Sequence, residues 1–253
     1  MTAKPPTTSI ATSTPTDITI RGKSLLELMG SLTFTEMMCF QVLGRVPPAG
    51  AIAVIDACLV TLVEHGLTPS AIAARLVYSS SPDAMQGAVA AGLLGVGSRF
   101  VGTVEGCARL VARIAAVPDP SAEAAAIVAE HAAAKQPLPG FGHDVHTPDD
   151  PRTPRLFAIA REHGVAGVHI AALETLSRVL DAAKRRHITI NATGAVAAAL
   201  ADCGVPAEIM RGFALVSRCA GLIGHIHEEQ HRSAMTTIWE AADRAVPYEP
   251  DGR

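Results

Sequence analysis

The chain has 253 residues, of which 49% are hydrophobic but only 4% aromatic, and its formal net charge is −3. That length allows one large domain or two smaller ones with an ample core. A slightly negative chain without a run of Lys or Arg offers no basic surface for nucleic acid. Five scattered cysteines without a CxxC pair predict reduced thiols in a cytoplasmic protein. Uninterrupted apolar runs stay below the roughly 18 residues of a membrane span, so no membrane partner is expected.

The chain begins with a Thr/Ser/Pro-rich segment, residues 1–21, which is predicted to be a mostly disordered arm. A transit peptide is the alternative, and the near absence of Arg argues against it. The rest shows helical apolar patterns, and only Ile188 to Ile190 alternates at period two. The predicted fold class is therefore all-α. Helices are predicted at 24–32, 35–43, 49–64, 69–76, 85–95, 105–117, 121–135, 152–163, 167–186, 191–203, 206–224 and 226–245.

The segment 136–152 lies between Ala-rich helical patterns and holds four prolines, two glycines and two histidines. Such a composition predicts a rigid, unusually shaped loop that supports His143 firmly. The Asp-Asp-Pro sequence before Arg152 is typical of a helix start. A fixed imidazole beside a positive helix end and a guanidinium suits an anionic substrate. A surface loop with an incidental histidine is the alternative.

Two further positions are candidates for a binding site. His65 follows a long apolar helix and would point out of its C-terminal end, although this position alone favours a satisfied structural histidine. Arg218 stands in a helical segment that otherwise lacks charge over 214–224. A buried guanidinium requires an anionic partner, which is either an internal carboxylate or a substrate carboxylate.

The sequence His227-Glu-Glu-Gln-His231 fits the H-E-x-x-H pattern. On a helix the two histidines would share one face, as zinc ligands do, with Glu228 as a candidate base. Patterns of five residues arise by chance, and no known third-ligand signature follows. A polar, solvated C-terminal helix is the simpler interpretation, so no metal is expected.

Five segments, in order, resemble the citrate synthase superfamily. The loop sequence from Pro139 to Val145, followed by Asp150-Pro-Arg152, resembles its PGFGHxVY…DPR segment. The others are Glu64-His-Gly66, Ala90 to Gly102, Ile190 to Gly194 and Ser217 to Gln230. The resemblance covers roughly residues 22–240. The short length and Phe100 resemble citryl-CoA lyases, including the C-terminal domain of ATP-citrate lyase, because full citrate synthases are longer and carry His where Phe100 stands.

The resemblance implies a two-domain helical fold, with a large part at 22–100 and 206–253 and a small part at 101–205. It implies a lyase or condensing enzyme that acts between an acyl-CoA, such as acetyl-CoA, and a keto acid such as oxaloacetate. A homodimer or dimer of dimers would bind the CoA thioester and a di- or tricarboxylate in a cleft. The implied catalytic residues are His143 and Thr193; the implied substrate-binding residues are His65, Phe100, Arg152, Arg218 and Arg232; and the implied CoA-binding residues are Leu138, Pro139, Gly140, Phe141 and Gly142.

Thr193 is the main departure from the family pattern, because the family has a catalytic aspartate there. A threonine hydroxyl cannot act as a base near neutral pH without activation. Another group, such as Glu64, Asp144 or His225, could move the proton, or the donor could form its enolate by decarboxylation. A non-catalytic relative that binds a CoA ester is the second interpretation, and a zinc hydrolase is the third.

Overall fold

Helices make up most of the residues that the computed structural model describes, which are 5–98 and 100–251. The predicted all-α class is confirmed. The described residues leave out positions 1–4 of the predicted arm. They also leave out positions 99, 252 and 253 of the predicted large part. The helices are α1 (Leu25–Leu28), α2 (Phe34–Leu43), α3 (Ala49–Leu62), α4 (Pro69–Ser80), α5 (Met85–Leu94), α6 (Thr103–Ala115), α7 (Pro120–Ala133), α8 (Arg152–Glu162), α9 (Val168–Lys184), α10 (Ala192–Asp202), α11 (Met210–His231) and α12 (Met235–Ala245), with a 3-10 turn at Ala207–Ile209.

A small antiparallel sheet precedes the helices, where the sequence predicted a mostly disordered arm. It consists of β1 (Ala11–Ser13), β2 (Ile18–Ile20) and β3 (Lys23–Ser24), in the order β1-β2-β3. The β-branched residues of β2 favour a strand. Arg21 and Gly22 both have positive φ, at 49° and 81°, which suits the tight turn between β2 and β3. The Thr/Ser/Pro composition concealed this turn.

A small hydrophobic cluster joins α4, α5 and the second half of α11. The main hydrophobic core is separate from it and joins α2, α3 and the helices from α6 to α11. Helix α10 lies at its centre and packs against α3, α6, α8 and α9. The side chains of Ala195, Ala197, Ala198 and Ala199 are fully buried, so the low aromatic content is matched by close helix contacts. This core spans the predicted boundary between the large and small parts, and the boundary itself stays a prediction.

The longest helix, α11, packs against α3, α4 and α5. By length and composition, residues 207–231 could cross a membrane, and 44% of the apolar stretch is buried inside the protein. The predicted break at Gly224 does not occur. The chain leaves the helix later, where the Glu229 carboxylate accepts hydrogen bonds from the backbone amides of Ala234 (2.9 Å) and Met235 (3.1 Å).

Glu229 also anchors a buried ion pair between α4 and α11. Its Oε2 lies 2.7 Å from Nη1 of Arg75, and both side chains are almost fully buried. Burial raises the pKa of Glu229, but hydrogen bonds from Ser233, Arg75 and Ala234 outweigh it and lower the pKa to about 2. A carboxylate whose pKa is lower in the folded state stabilises the protein at pH values above the ordinary pKa of the group. This contribution is lost as the pH falls towards the folded-state pKa.

Replacing Glu229 by Gln is expected to lower the free energy of unfolding by about 3 kcal/mol at neutral pH, because Arg75 would lose a buried partner. The difference from the native chain should shrink as pH falls from 4.5 towards about 2. Denaturant unfolding over this pH range measures it. Glu240→Gln is the control, because Oε2 of Glu240 lies 3.8 Å from Nη1 of Arg244 and both side chains are exposed. It should change the free energy of unfolding by less than about 0.5 kcal/mol. A pH-independent deficit in Glu229→Gln would contradict the assignment.

Candidate active site

The loop before His143 is hydrogen-bonded to the segment that leads into α10. The Gly142 amide donates to the Thr189 carbonyl at 2.8 Å, and the Asn191 amide donates to the Gly140 carbonyl at 3.1 Å. The Asn191 side chain adds a bond from Nδ2 to the Gly142 carbonyl at 2.9 Å. These bonds join the loop to the segment before α10, and the predicted rigidity of the loop stays a prediction.

Two glycines make this approach possible. A Cβ on Gly194 would lie 2.5 Å from the Gly140 carbonyl oxygen, and a Cβ on Gly140 would lie 2.6 Å from Sγ of Cys107. Gly140 also has φ of 88°, a conformation that other residues avoid. The backbone of the loop thus lies directly against the first turn of α10.

Gly194→Ala is expected to lower the free energy of unfolding by about 1–3 kcal/mol, because the added methyl overlaps the loop backbone. Gly224→Ala is the matched control: that glycine lies inside α11 with no atom within 4 Å of the added Cβ. The control should raise stability by roughly 0.5–1 kcal/mol. Thermal unfolding of both variants measures this, and similar shifts would contradict the close approach.

His143 is surrounded by hydrogen-bond donors. Its Nδ1 accepts from the backbone amides of Val145 and His146, each at 3.0 Å. The neutral ring therefore carries its proton on Nε2, where Nη2 of Arg152 lies 3.4 Å away as a further donor. Burial, and then the nearby His146, lower the pKa of His143. The result is a neutral imidazole whose Nε2 proton faces another donor, so this edge of the ring suits an acceptor such as a ligand oxygen.

Arg152 begins α8 and is held by the buried Asp150. Its Nε and Nη2 donate to the two carboxylate oxygens at 2.9 and 2.8 Å. Asp150 Oδ2 also accepts from the Ala192 amide at 3.0 Å, so one carboxylate joins the starts of α8 and α10. Burial raises the pKa of Asp150, but the bonds from Arg152 and Ala192 outweigh it and lower that pKa. The guanidinium is thereby fixed beside His143.

Three imidazoles meet at this point. Nε2 of His65 lies 3.4 Å from Nε2 of His146, and the His143 and His146 ring centres are 4.4 Å apart. The three could geometrically hold a metal ion. However, Arg152 faces the cluster and His143 Nδ1 already accepts two amides, so the surroundings favour an anion over a cation. The pKa of His65 is lowered by burial and then by the positive charges of Arg152 and its neighbours.

Arg218 is only 8% exposed, and within the described part of the chain its Nη1 has no hydrogen-bond partner. Burial lowers its pKa, while Glu64 acts in the opposite direction. Of the two partners that the sequence left open, an internal carboxylate does not bond to Nη1. This atom is a donor available for a ligand that carries negative charge.

Thr193 lies on the first turn of α10, and its hydroxyl is occupied. It is 2.7 Å from Oδ1 of Asn191 and 2.9 Å from the hydroxyl of Thr103. Thr103 in turn donates to the Phe100 carbonyl at 2.7 Å. The backbone of Phe100 therefore belongs to the same neighbourhood, while its side chain is 55% exposed. None of these groups activates the hydroxyl as a base.

The loop predicted to bind CoA, 138–142, has several backbone groups already engaged. The amides of Phe141 and Gly142 donate to Leu138 and Thr189, while Pro139 packs on Gly106. Arg232, predicted to act across a dimer, is exposed at the end of α11. Both assignments stay predictions.

The sequence suggested Glu64, Asp144 and His225 as other groups that could move the proton, and the structure shows the contacts or the exposure of each. His225 Nδ1 accepts from Nε of Arg75 at 3.0 Å, and its Nε2 lies 2.9 Å from Glu64. Glu64 accepts from the amides of His65 and Gly66, both at 2.7 Å. Burial raises the pKa of Glu64, but these bonds and His225 lower it, so Glu64 is a weak base. Asp144 is exposed.

The H-E-x-x-H pattern has another explanation in the structure. Glu228 and Glu229 both pair with Arg75, so neither is free to act as a base. Among the residues described, the metal-like group of three side chains does not include His227 or His231. The pattern arises from a salt bridge between α4 and α11.

Sequence reasoning missed three residues of the site. Asp150 was expected only to cap a helix, whereas it also orients Arg152. Asn191 caps α10 through Oδ1 and fixes the loop through Nδ2, and its position before an Ala-rich helix could have revealed the first role. The contact of His146 with His65 joins positions 81 residues apart, and no local signal could have found it.

The family model described as "Citrate synthase, C-terminal domain" matches residues 18–239. "Putative citrate synthase 2" of Mycobacterium tuberculosis (strain ATCC 25618 / H37Rv) is 32% identical over 190 residues, which cover 73% of this chain and 49% of that protein. The protein of the same description from Mycobacterium bovis gives the same values. This chain thus spans about half the length of the curated relatives it matches.

Two solved structures share the fold over 98% of this chain. Citryl-CoA lyase from Hydrogenobacter thermophilus superposes with a TM-score of 0.87 and 30% identity, over 95% of that chain. ATP citrate lyase from Methanothrix soehngenii, solved with citrate and coenzyme A, gives a TM-score of 0.81 at 19% identity over 43% of its chain. The second comparison concerns the fold alone, and together they confirm the fold that the sequence predicted.

Proposed function

Because the chain belongs to the citrate synthase family, we propose that it makes or breaks a carbon–carbon bond between an acyl-CoA and a keto acid. The substrates would be acetyl-CoA-like and oxaloacetate-like, with citryl-CoA as the joined species. The observation that carries this proposal is the buried Nη1 of Arg218, a donor without an acceptor in the described part of the chain. Nη2 of Arg152 and Nε2 of His143, which lie 3.4 Å apart, are the further donors of the site. Such a set suits an anion with several carboxylates.

Each residue then has a role that follows from its surroundings. His143 donates its Nε2 proton to the oxygen at the reacting carbon, which stabilises the charge that develops there. Arg218 and Arg152 bind the carboxylates, and His65 lies beside them. In cleavage, the alcohol oxygen loses its proton and becomes a ketone oxygen while the carbon–carbon bond breaks, and the electron pair of that bond forms the thioester enolate. The enolate carbon must then gain a proton.

The source of that proton distinguishes the two candidate functions. The hydroxyl of Thr193 is held by Asn191 and Thr103, which favours the second candidate, a relative that binds a CoA ester without family chemistry. A homodimer, or a dimer of dimers, and a cytoplasmic location remain part of the proposal. Within it, Arg232 would reach the site of a second copy, and loop 138–142 with Phe100 would face CoA. No metal is assigned a role.

The test is calorimetric titration of the purified chain with citrate and with coenzyme A, followed by a citryl-CoA cleavage assay. Binding of both ligands with release of acetyl-CoA and oxaloacetate would support the enzyme. Binding without cleavage would support the non-catalytic candidate. Binding of neither ligand would refute both.

A further inference from the structure

The imidazoles of His65 and His146 are close enough to share one hydrogen bond. Their Nε2 atoms lie 3.4 Å apart, and both side chains are partly buried. Two neutral imidazoles at this distance share one N–H···N hydrogen bond, in which one ring donates and the other accepts. The pair can take up a single extra proton, which would then lie between the two rings or on the outer nitrogen of either ring.

The charges around this pair come from three directions. Arg152, whose charge is partly offset by Asp150, acts on His65 from α8, and Arg218 acts on it from α11. Glu64, which contacts His225 of α11, precedes His65 in the chain. His143 and the exposed Asp144 belong to the loop of His146. The two guanidinium groups oppose a positive charge on His65.

An anion with two or three carboxylates reverses this balance. Once bound, it offsets the charges of Arg152 and Arg218 and offers an acceptor to the imidazoles. Protonation of the pair then strengthens the binding of the anion, so the two events favour each other by linkage.

We propose that His146 is a substrate-binding residue that acts with His65 as one pair, and that this pair takes up a proton when the carboxylate substrate binds. The inference rests on the proposed function, since it needs a polycarboxylate in this site. The family pattern PGFGHxVY has Tyr where this chain has His146. A tyrosine is already protonated at neutral pH, so this substitution is what gives the chain a proton-coupled site.

The experiment is calorimetric titration of the full chain with citrate in buffers of different ionisation enthalpy. The dependence of the measured heat on the buffer gives the number of protons taken up. Native protein and His146→Gln are compared, because glutamine keeps a hydrogen bond to His65 but does not titrate. His146→Tyr is a second variant with the family residue. Differences between proteins cancel the protons that citrate itself exchanges.

Native protein is expected to take up about one proton more per citrate than either variant. Its affinity for citrate should rise by up to about tenfold per pH unit as pH falls through the titration of the pair, and this rise should be weaker in both variants. His231→Gln removes an exposed imidazole elsewhere on α11 and should match the native protein. If native and His146→Gln proteins both bound citrate with equal proton uptake, the inference about the histidine pair would be wrong, while the proposed function would stand. Absence of citrate binding by the native chain would instead overturn the proposed function, and the inference with it.

Discussion

Replacing Arg218 by methionine is expected to weaken citrate binding by about 100-fold or more while raising the stability of the free protein. The binding loss follows because a buried guanidinium that contacts a carboxylate contributes several kcal/mol, and truncation leaves the ligand charge without a partner. Calorimetric titration measures the loss.

The gain in stability has a separate cause. In the described part of the chain, Nη1 of Arg218 is buried without a hydrogen bond, and burial disfavours its charged form. Methionine fills similar space and removes this penalty, so the free energy of unfolding should rise by about 1–3 kcal/mol. Denaturant unfolding without ligand measures it. Opposite signs for stability and binding mark a residue retained for a ligand.

Arg155→Met is the matched control, because Arg155 is exposed on α8 and pairs with the exposed Glu162 at 3.2 Å. It should leave citrate binding unchanged and alter stability by less than about 0.5 kcal/mol. If Arg218→Met instead lowered the free energy of unfolding and left citrate binding unchanged, Arg218 would be a structural cation.

Introducing an aspartate at Thr193 is the second change with a large expected effect. It restores the acid that the family has at this position, where proton transfer contributes about 10²–10⁴-fold to the rate. The carboxylate would stand on the first turn of α10, where the helix dipole favours negative charge. Thr103 could donate its hydroxyl proton to it, while Oδ1 of Asn191 would repel it. Cleavage of citryl-CoA to acetyl-CoA and oxaloacetate should therefore rise by at least about 100-fold.

Thr193→Asn controls for size and polarity without supplying an acid, and it should remain at the native rate. Native cleavage as fast as that of Thr193→Asp would show that another group already moves the proton. Equal inactivity of the native protein and both variants, with citrate still bound, would indicate a different acyl donor or a binding role.

The sequence predicted best those features that are encoded within a few residues. The Pro/Gly pattern around His143 predicted a rigid support, and the structure shows it hydrogen-bonded to the entry of α10. The absence of other charges around Arg218 in its helix predicted a need for an anionic partner, but it could not tell an internal carboxylate from a substrate carboxylate. The helices were predicted well because their apolar patterns are long, although the break expected at Gly224 was wrong: α11 ends where Glu229 receives backbone amides beyond it.

Features that depend on distant segments were not accessible in this way. The contact between Thr103 and Thr193 joins positions 90 residues apart, and that between His65 and His146 joins positions 81 apart. The first requires knowledge of how α6 and α10 pack, and the second of where the loop lies relative to the end of α3. The N-terminal hairpin was missed for a different reason: its turn at Arg21 and Gly22 is local, but the surrounding composition is typical of disorder.

The bonds that join loop 138–142 to residues 189–191, together with the Asp150 carboxylate shared by α8 and α10, have a kinetic consequence. A site whose backbone is already ordered loses little conformational entropy when a ligand arrives. The rate of capture is then set mainly by diffusion and by the attraction between the arginines and a negatively charged visitor. Added salt would screen this attraction and slow binding. Higher solvent viscosity would slow it as well, because diffusion and not rearrangement of the loop would limit the rate.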